Sequence, residues 1–140
     1  MLRAVMVTCA FVVALNTSAV TGATPGVSST EIKVGGIFPF SGPASSIGLV
    51  GRAVLAYVQS INDRGGINGR KINYIAYDDA YSPPKAVEHA RKLVEGDEVA
   101  FMFSELGTPG NSATAKYLAA PPTPSVVSGP SATFSRIVTA

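Results

Sequence analysis

Short β-branched runs alternate with segments of helical period from residue 31 to residue 118, and nothing else in the chain limits its fold as much. Residues 32–38 (IKVGGIF) are rich in β-branched side chains and stop at Pro39, which predicts a first strand. Val50, Val54, Tyr57, Val58 and Ile61 then recur at the 3.6-residue period of an amphipathic helix over 48–63, closed by Gly65 and Gly66. After the Asn68-Gly69 turn, 71–77 (KINYIAY) predicts a second strand that ends at Asp78-Asp79. Ser82 and Pro83 open a second helix over 83–95, with Val87, Ala90, Leu93 and Val94 as its buried stripe, Glu88 placed to pair with Lys92, and Gly96 as the stop. Residues 99–103 (VAFMF) are apolar on both faces, the pattern of a central strand covered by helices on both sides. A third helix opening at Thr108-Pro109 or Asn111 ends near Leu118, and a weak fourth strand follows at 125–128. Repetition of this kind needs right-handed crossovers, so the expected fold class is α/β, a parallel sheet sandwiched between helical layers.

With 140 residues, 46% of them hydrophobic and 14% charged, the chain holds one such domain at most. Eleven Lys+Arg against nine Asp+Glu leave a charge of +2 with the basic residues scattered, so a nucleic-acid partner is not expected. A single His (His89) and a single Cys (Cys9) exclude a Cys/His metal site and a disulfide framework. No GxGxxG, Walker A or GxSxG spacing occurs, so the chain is expected to be a non-enzyme without a cofactor. Asp78-Asp79 read as caps of the following turn, His89 as a solvent-facing helix residue, and Tyr57, Tyr74 and Tyr77 as core or sheet margin.

Residues 1–23 have the pattern of a secretory signal peptide: Arg3 supplies the positive start, residues 4–15 are apolar apart from Thr8 and Cys9, and small residues follow as far as Ala23. The apolar run is well short of the ~20 residues that span a bilayer. A periplasmic, cysteine-free mature chain with a polar lead at 24–30 is therefore expected.

In parallel sheets, ligands bind beyond the carboxyl ends of the strands. Three segments fall there: the Gly/Pro/Ser-rich 39–48, then 104–111 with Thr108, then 128–133 with Ser131. The first enters a helix and so brings hydroxyls and free N–H groups toward an anion, and in the second Thr108 can donate a hydroxyl bond.

The run IKVGGIFPFSGPASSIG, followed by INDRGGINGRKINYIAYDDAYSPPKAVEHARKLVEGDEVAFMFSELGTPGN, resembles the amino-terminal lobe of the leucine/isoleucine/valine-binding family of periplasmic solute receptors for ABC importers. The resemblance covers 31–118 in order. It implies a type I periplasmic-binding fold, in which two three-layer αβα lobes close on a small ligand, and a membrane permease as partner. By position it implies that Thr108 holds the ligand's α-carboxylate. It also implies that the loop carrying Ser131, Ala132 and Thr133 meets the ammonium group through a carbonyl and a hydroxyl. Ile47 stands where some members place an aromatic residue against the ligand side chain, which widens the expected ligand from branched-chain amino acids to related amino acids or small carboxylates.

The chain departs from the family in stopping after the fourth strand, so that 31–118 is expected to form a partial lobe with impaired binding. A Pro-rich divergent tail occupies 119–140, where AAPPTP replaces the family's charged connection. A ligand-sensing receptor domain and a non-functional truncated gene product are the alternatives. A flavodoxin-like enzyme would need a cofactor cradle or catalytic pair that the sequence does not contain.

Overall fold

A computed structural model describes residues 24–119 and the backbone of 125–127. The expected signal peptide, most of the Pro-rich tail, and Ser131, Ala132 and Thr133 lie outside the described residues. Strand β1 (Glu31–Phe38) leads through α1 (Leu49–Asp63) to β2 (Lys71–Asp78). Helix α2 (Pro83–Arg91) continues as a wider π-helical turn (Lys92–Gly96) into β3 (Phe101–Glu105), α3 (Thr108–Leu118) and β4 (Ser125–Val127). The strands are all parallel in the order β2-β1-β3-β4. The chain moves one way across the sheet from β1 to β2 and the other way from β2 to β3, so crossovers of one hand place α1 and α2 on opposite faces.

Alternation along each strand shows what each face buries. On one face Ile37 of β1 and Met102 of β3 pack with Ala86 and Ala90 of α2, with Leu93 of the π-helical turn and with Val99, all almost without solvent exposure. Ile75, Tyr77, Val94, Tyr117 and Leu118 surround this core. Gly35 lies beneath it in close contact: a Cβ there would come 3.0 Å from Leu93 Cδ2, so Leu93 would have to shift. On the other face Gly51 of α1 rests against the rings of Phe38 and Phe40.

Among the described residues, α1 is the helix on that second face, packed over β1 and β2. Phe103 is exposed, and a cavity of about 460 Å³ opens between Val50, Val54 and Tyr57 of α1 and Val34, Phe101 and Phe103 of the sheet. Its lining is apolar and it lies away from the strand ends, so it gives a polar ligand no partner.

Three further differences concern β3 and the helix before it. The strand starts two residues later than its apolar run, because Val99 N–H is bonded to Leu93 O and Glu98 takes a φ of 54°. It also contains a bulge: Gly35 pairs with Met102 but Ile37 with Glu105, one extra residue on β3, and Ser104 stands there at φ 67°. The bulge restores Glu105 to the α2/α3 face that strict alternation would have denied it. In α2, the ion pair formed is Arg91–Glu95, at 3.6 Å, while Lys92 Nζ lies 4.4 Å from the centre of the Tyr77 ring.

Candidate functional site

Three turns meet at the carboxyl edge of the sheet, and Asp78 laces the first two together. Its Oδ1 accepts the N–H of Ser41, in the 39–48 segment after β1, at 3.1 Å and that of Ala80 at 3.0 Å. Desolvation pushes this carboxyl upward, but hydrogen bonds from Ser41, Ala80 and Phe40 outweigh it and hold the group below the ordinary aspartate value. Asp79 does the same one residue on, accepting Tyr81 N–H at 2.9 Å. The pair thus acts as turn caps, as the sequence led us to expect. The third turn is short. Only Leu106 and Gly107 separate β3 from α3, and Gly107, at φ 128°, lies against the ring of Tyr81.

Beneath this edge two carboxyl groups are almost shut off from solvent, Asp79 at 2% exposure and Glu105 at 3%. Gly110 in the first turn of α3 fits between them: a Cβ there would stand 3.5 Å from Asp79 Oδ2, 3.7 Å from Glu105 Oε1 and 3.2 Å from Ala86 Cβ. The buried Thr114 hydroxyl donates to Glu105 Oε1 at 2.7 Å. Burial pushes the Glu105 carboxyl up, the Thr114 bond opposes this, and the Asp79 charge adds to it. Asp79 is raised as well, first by burial. A carboxyl whose pKa is higher in the folded chain binds more protons folded than unfolded, so its stabilising effect is full below the unfolded value and is lost as pH rises through the folded one. Glu105→Gln keeps an acceptor for Thr114 and removes the charge. The variant is expected to gain on the parent as pH rises from about 4.5 to 7 in urea unfolding. A constant offset at every pH would contradict a buried, titrating Glu105.

Ile47 lies in the segment that joins β1 to α1, and Thr108 follows β3 by the two residues Leu106 and Gly107. Ile47 is 40% exposed in the turn before α1, and Thr108, also exposed, is the first residue of α3. Ser131, Ala132 and Thr133 are outside the described residues. His89 is not solvent-facing. It is half-buried, stacked on Tyr77 at 5.0 Å, with Nε2 3.1 Å from the Asp78 carbonyl. Sequence reasoning passed over Tyr81 and left Glu105 in a loop. The Asp-Asp pair just before Tyr81 was a visible sign of a tightly capped turn, whereas nothing in the sequence marks the bulge that buries Glu105. Among the described residues, no group of three or more His, Cys, Asp or Glu is placed to hold a metal ion.

A family model described as "Periplasmic binding protein" matches residues 31–136. A Leu/Ile/Val-binding protein homolog 7 of Brucella abortus is 35% identical over 88 residues, which are 62% of this chain and 21% of that protein. The leucine-, isoleucine-, valine-, threonine-, and alanine-binding protein of Pseudomonas aeruginosa is 36% identical over 81 residues, 57% of this chain and 21% of that one. The chain therefore spans about a fifth of the length of these relatives. Among solved structures, a solute binding protein of an ABC transporter from Rhodopseudomonas palustris, in complex with 3,4-dihydroxybenzoic acid, superposes with a TM-score of 0.59 at 29% identity. The superposition covers 71% of this chain and 28% of that one.

Proposed function

The chain belongs to the periplasmic binding protein family, and from that premise we propose that it supplies the amino-terminal ligand-binding wall of an extracytoplasmic solute receptor serving an ABC importer. The observation that carries this reading is the start of α3. The exposed Thr108 opens a helix at the carboxyl end of an interior parallel strand, with the Asp78-laced turns beside it. Such a terminus offers N–H groups, a hydroxyl and the positive end of the helix dipole to a carboxylate. The ligands named for the Pseudomonas and Rhodopseudomonas proteins all carry a carboxylate, which supports a branched-chain amino acid or a related small carboxylate here. Ser131, Ala132 and Thr133 would complete the polar contacts, Ile47 would face the ligand's side chain, and residues 1–23 would direct export to the periplasm, where the permease is the partner.

The test is a nuclear magnetic resonance titration of the chain with leucine. Shifts are expected at the amides of 41–48, 78–82 and 106–110. Thr108→Ala is expected to weaken binding roughly ten- to a hundredfold, the loss of one hydrogen bond to a charged group. Shifts confined to the apolar cavity beneath α1, or an unchanged affinity in Thr108→Ala, would overturn this reading.

A further inference from the structure

Ala80 and Tyr81 hold two consecutive left-handed conformations, φ 49° and 64°. Residues with a Cβ adopt these at a cost, and such backbone persists only where its surroundings over-determine it. Here they do: Asp78 and Asp79 accept the two N–H groups, and Ser82 N–H closes back on Asp79 O at 2.8 Å. Ala80 is also pressed against Gly42, where a Cβ would lie 2.9 Å from its carbonyl oxygen.

The strained pair settles where the Tyr81 ring lies. Its Cε2 and Cδ2 stand 2.9 and 3.3 Å from the place a Cβ would take on Gly107, so the ring is seated on the one residue type that leaves room for it. Tyr77 serves the core, stacked on His89 and packed, as Ile75 and Val94 are, against the buried cluster. Tyr81 does not. It keeps 36% exposure at the carboxyl edge, beside the start of α3.

We infer that Tyr81 is the aromatic wall of the ligand site on this lobe, and that it favours a ligand carrying a planar ring next to its carboxylate. The inference rests on the reading of this edge as the ligand site. A planar ring meets the Tyr81 ring in an offset or edge-to-face contact that adds to simple area burial, while a saturated side chain of equal size gains the area alone. Tyr81 therefore acts as a specificity residue, with the carboxylate left to the start of α3.

Benzoate and cyclohexanecarboxylate separate these effects, because they share the carboxylate and nearly the same size. In resonance titrations of the chain, benzoate is expected to bind about two- to tenfold more tightly. It should also shift the Tyr81 ring and Gly107 amide signals. Tyr81→Leu should abolish the preference, and Tyr81→Phe, which keeps the ring, should retain it. Should Tyr81→Leu fail to fold, the comparison of the two acids on the parent and on Tyr81→Phe still decides. Equal affinities on the parent, with Thr108 amide shifts, would overturn the role of Tyr81 and leave the ligand edge standing, as would a preference that survives Tyr81→Leu. No shift at Thr108 or Gly107 with benzoate, cyclohexanecarboxylate or leucine would overturn the ligand edge and the aromatic wall together.

Discussion

Leu93→Ala is expected to lower the stability of the chain by about 2–5 kcal/mol, a large share of the roughly 5–15 kcal/mol that holds a domain together. Leu93 has no solvent exposure and lies in the core with Ile37, Ala86, Ala90, Val99 and Met102. Its two terminal methyl groups fill the space left by Gly35, at 3.0 and 3.1 Å from where a Cβ would be, so the truncation opens a cavity against bare backbone that cannot close by a side-chain rotation. Its carbonyl also accepts Val99 N–H at 3.1 Å, which ties the π-helical turn to the start of β3. Loosening Leu93 therefore loosens the strand that leads to Glu105 and Thr108 at the carboxyl edge of the sheet. Leu55→Ala is the control. Leu55 is 37% exposed on α1, and its loss is expected to cost far less. Urea midpoints that fall equally for the two variants would show that the core lies elsewhere.

The chain by itself is expected to bind leucine no more tightly than about millimolar. On the proposed reading, the edge made by 39–48, 78–82 and 106–110 is one wall of a site, and a ligand held by that wall alone would leave its other side in water. Each hydrogen bond to a charged ligand group that an opposing wall would have made is worth about 1.5–3 kcal/mol, so two or three missing ones separate millimolar from micromolar binding or better. Calorimetry on the 140-residue chain measures this directly. A micromolar constant would show that the chain assembles a complete site, for instance by pairing two copies edge to edge, and would remove the one-wall account.

Some of the carboxyl edge proposed as the ligand site was legible in advance and some was not. The start of α3 could be placed because Thr108-Pro109 marks a helix start locally, and Ile47 because it falls in the Gly/Pro/Ser segment before the period of α1, whereas the ligand roles of Thr108 and Ile47 came only from the family resemblance. Tyr81 could not, because its direction depends on left-handed backbone at Ala80 and Tyr81, and that conformation is held partly by contacts with Ser41 and Gly42, far away in sequence.

The sequence by itself determined the alternation of strands and helices, the parallel sheet and the positions at which the helices begin, because periods of two and 3.6 residues and Pro/Gly stops act over a few neighbouring residues. Tertiary structure alone decided which way side chains face where alternation breaks. The extra residue at Ser104 exists only because β3 must stay in register with β1 on both sides of it, and it turns Glu105 from a loop acid into a buried carboxyl beside Asp79 and Thr114. The cavity under α1 has the same origin: an apolar strand shows that it can be covered on both sides, but only the packing of helices decides how closely.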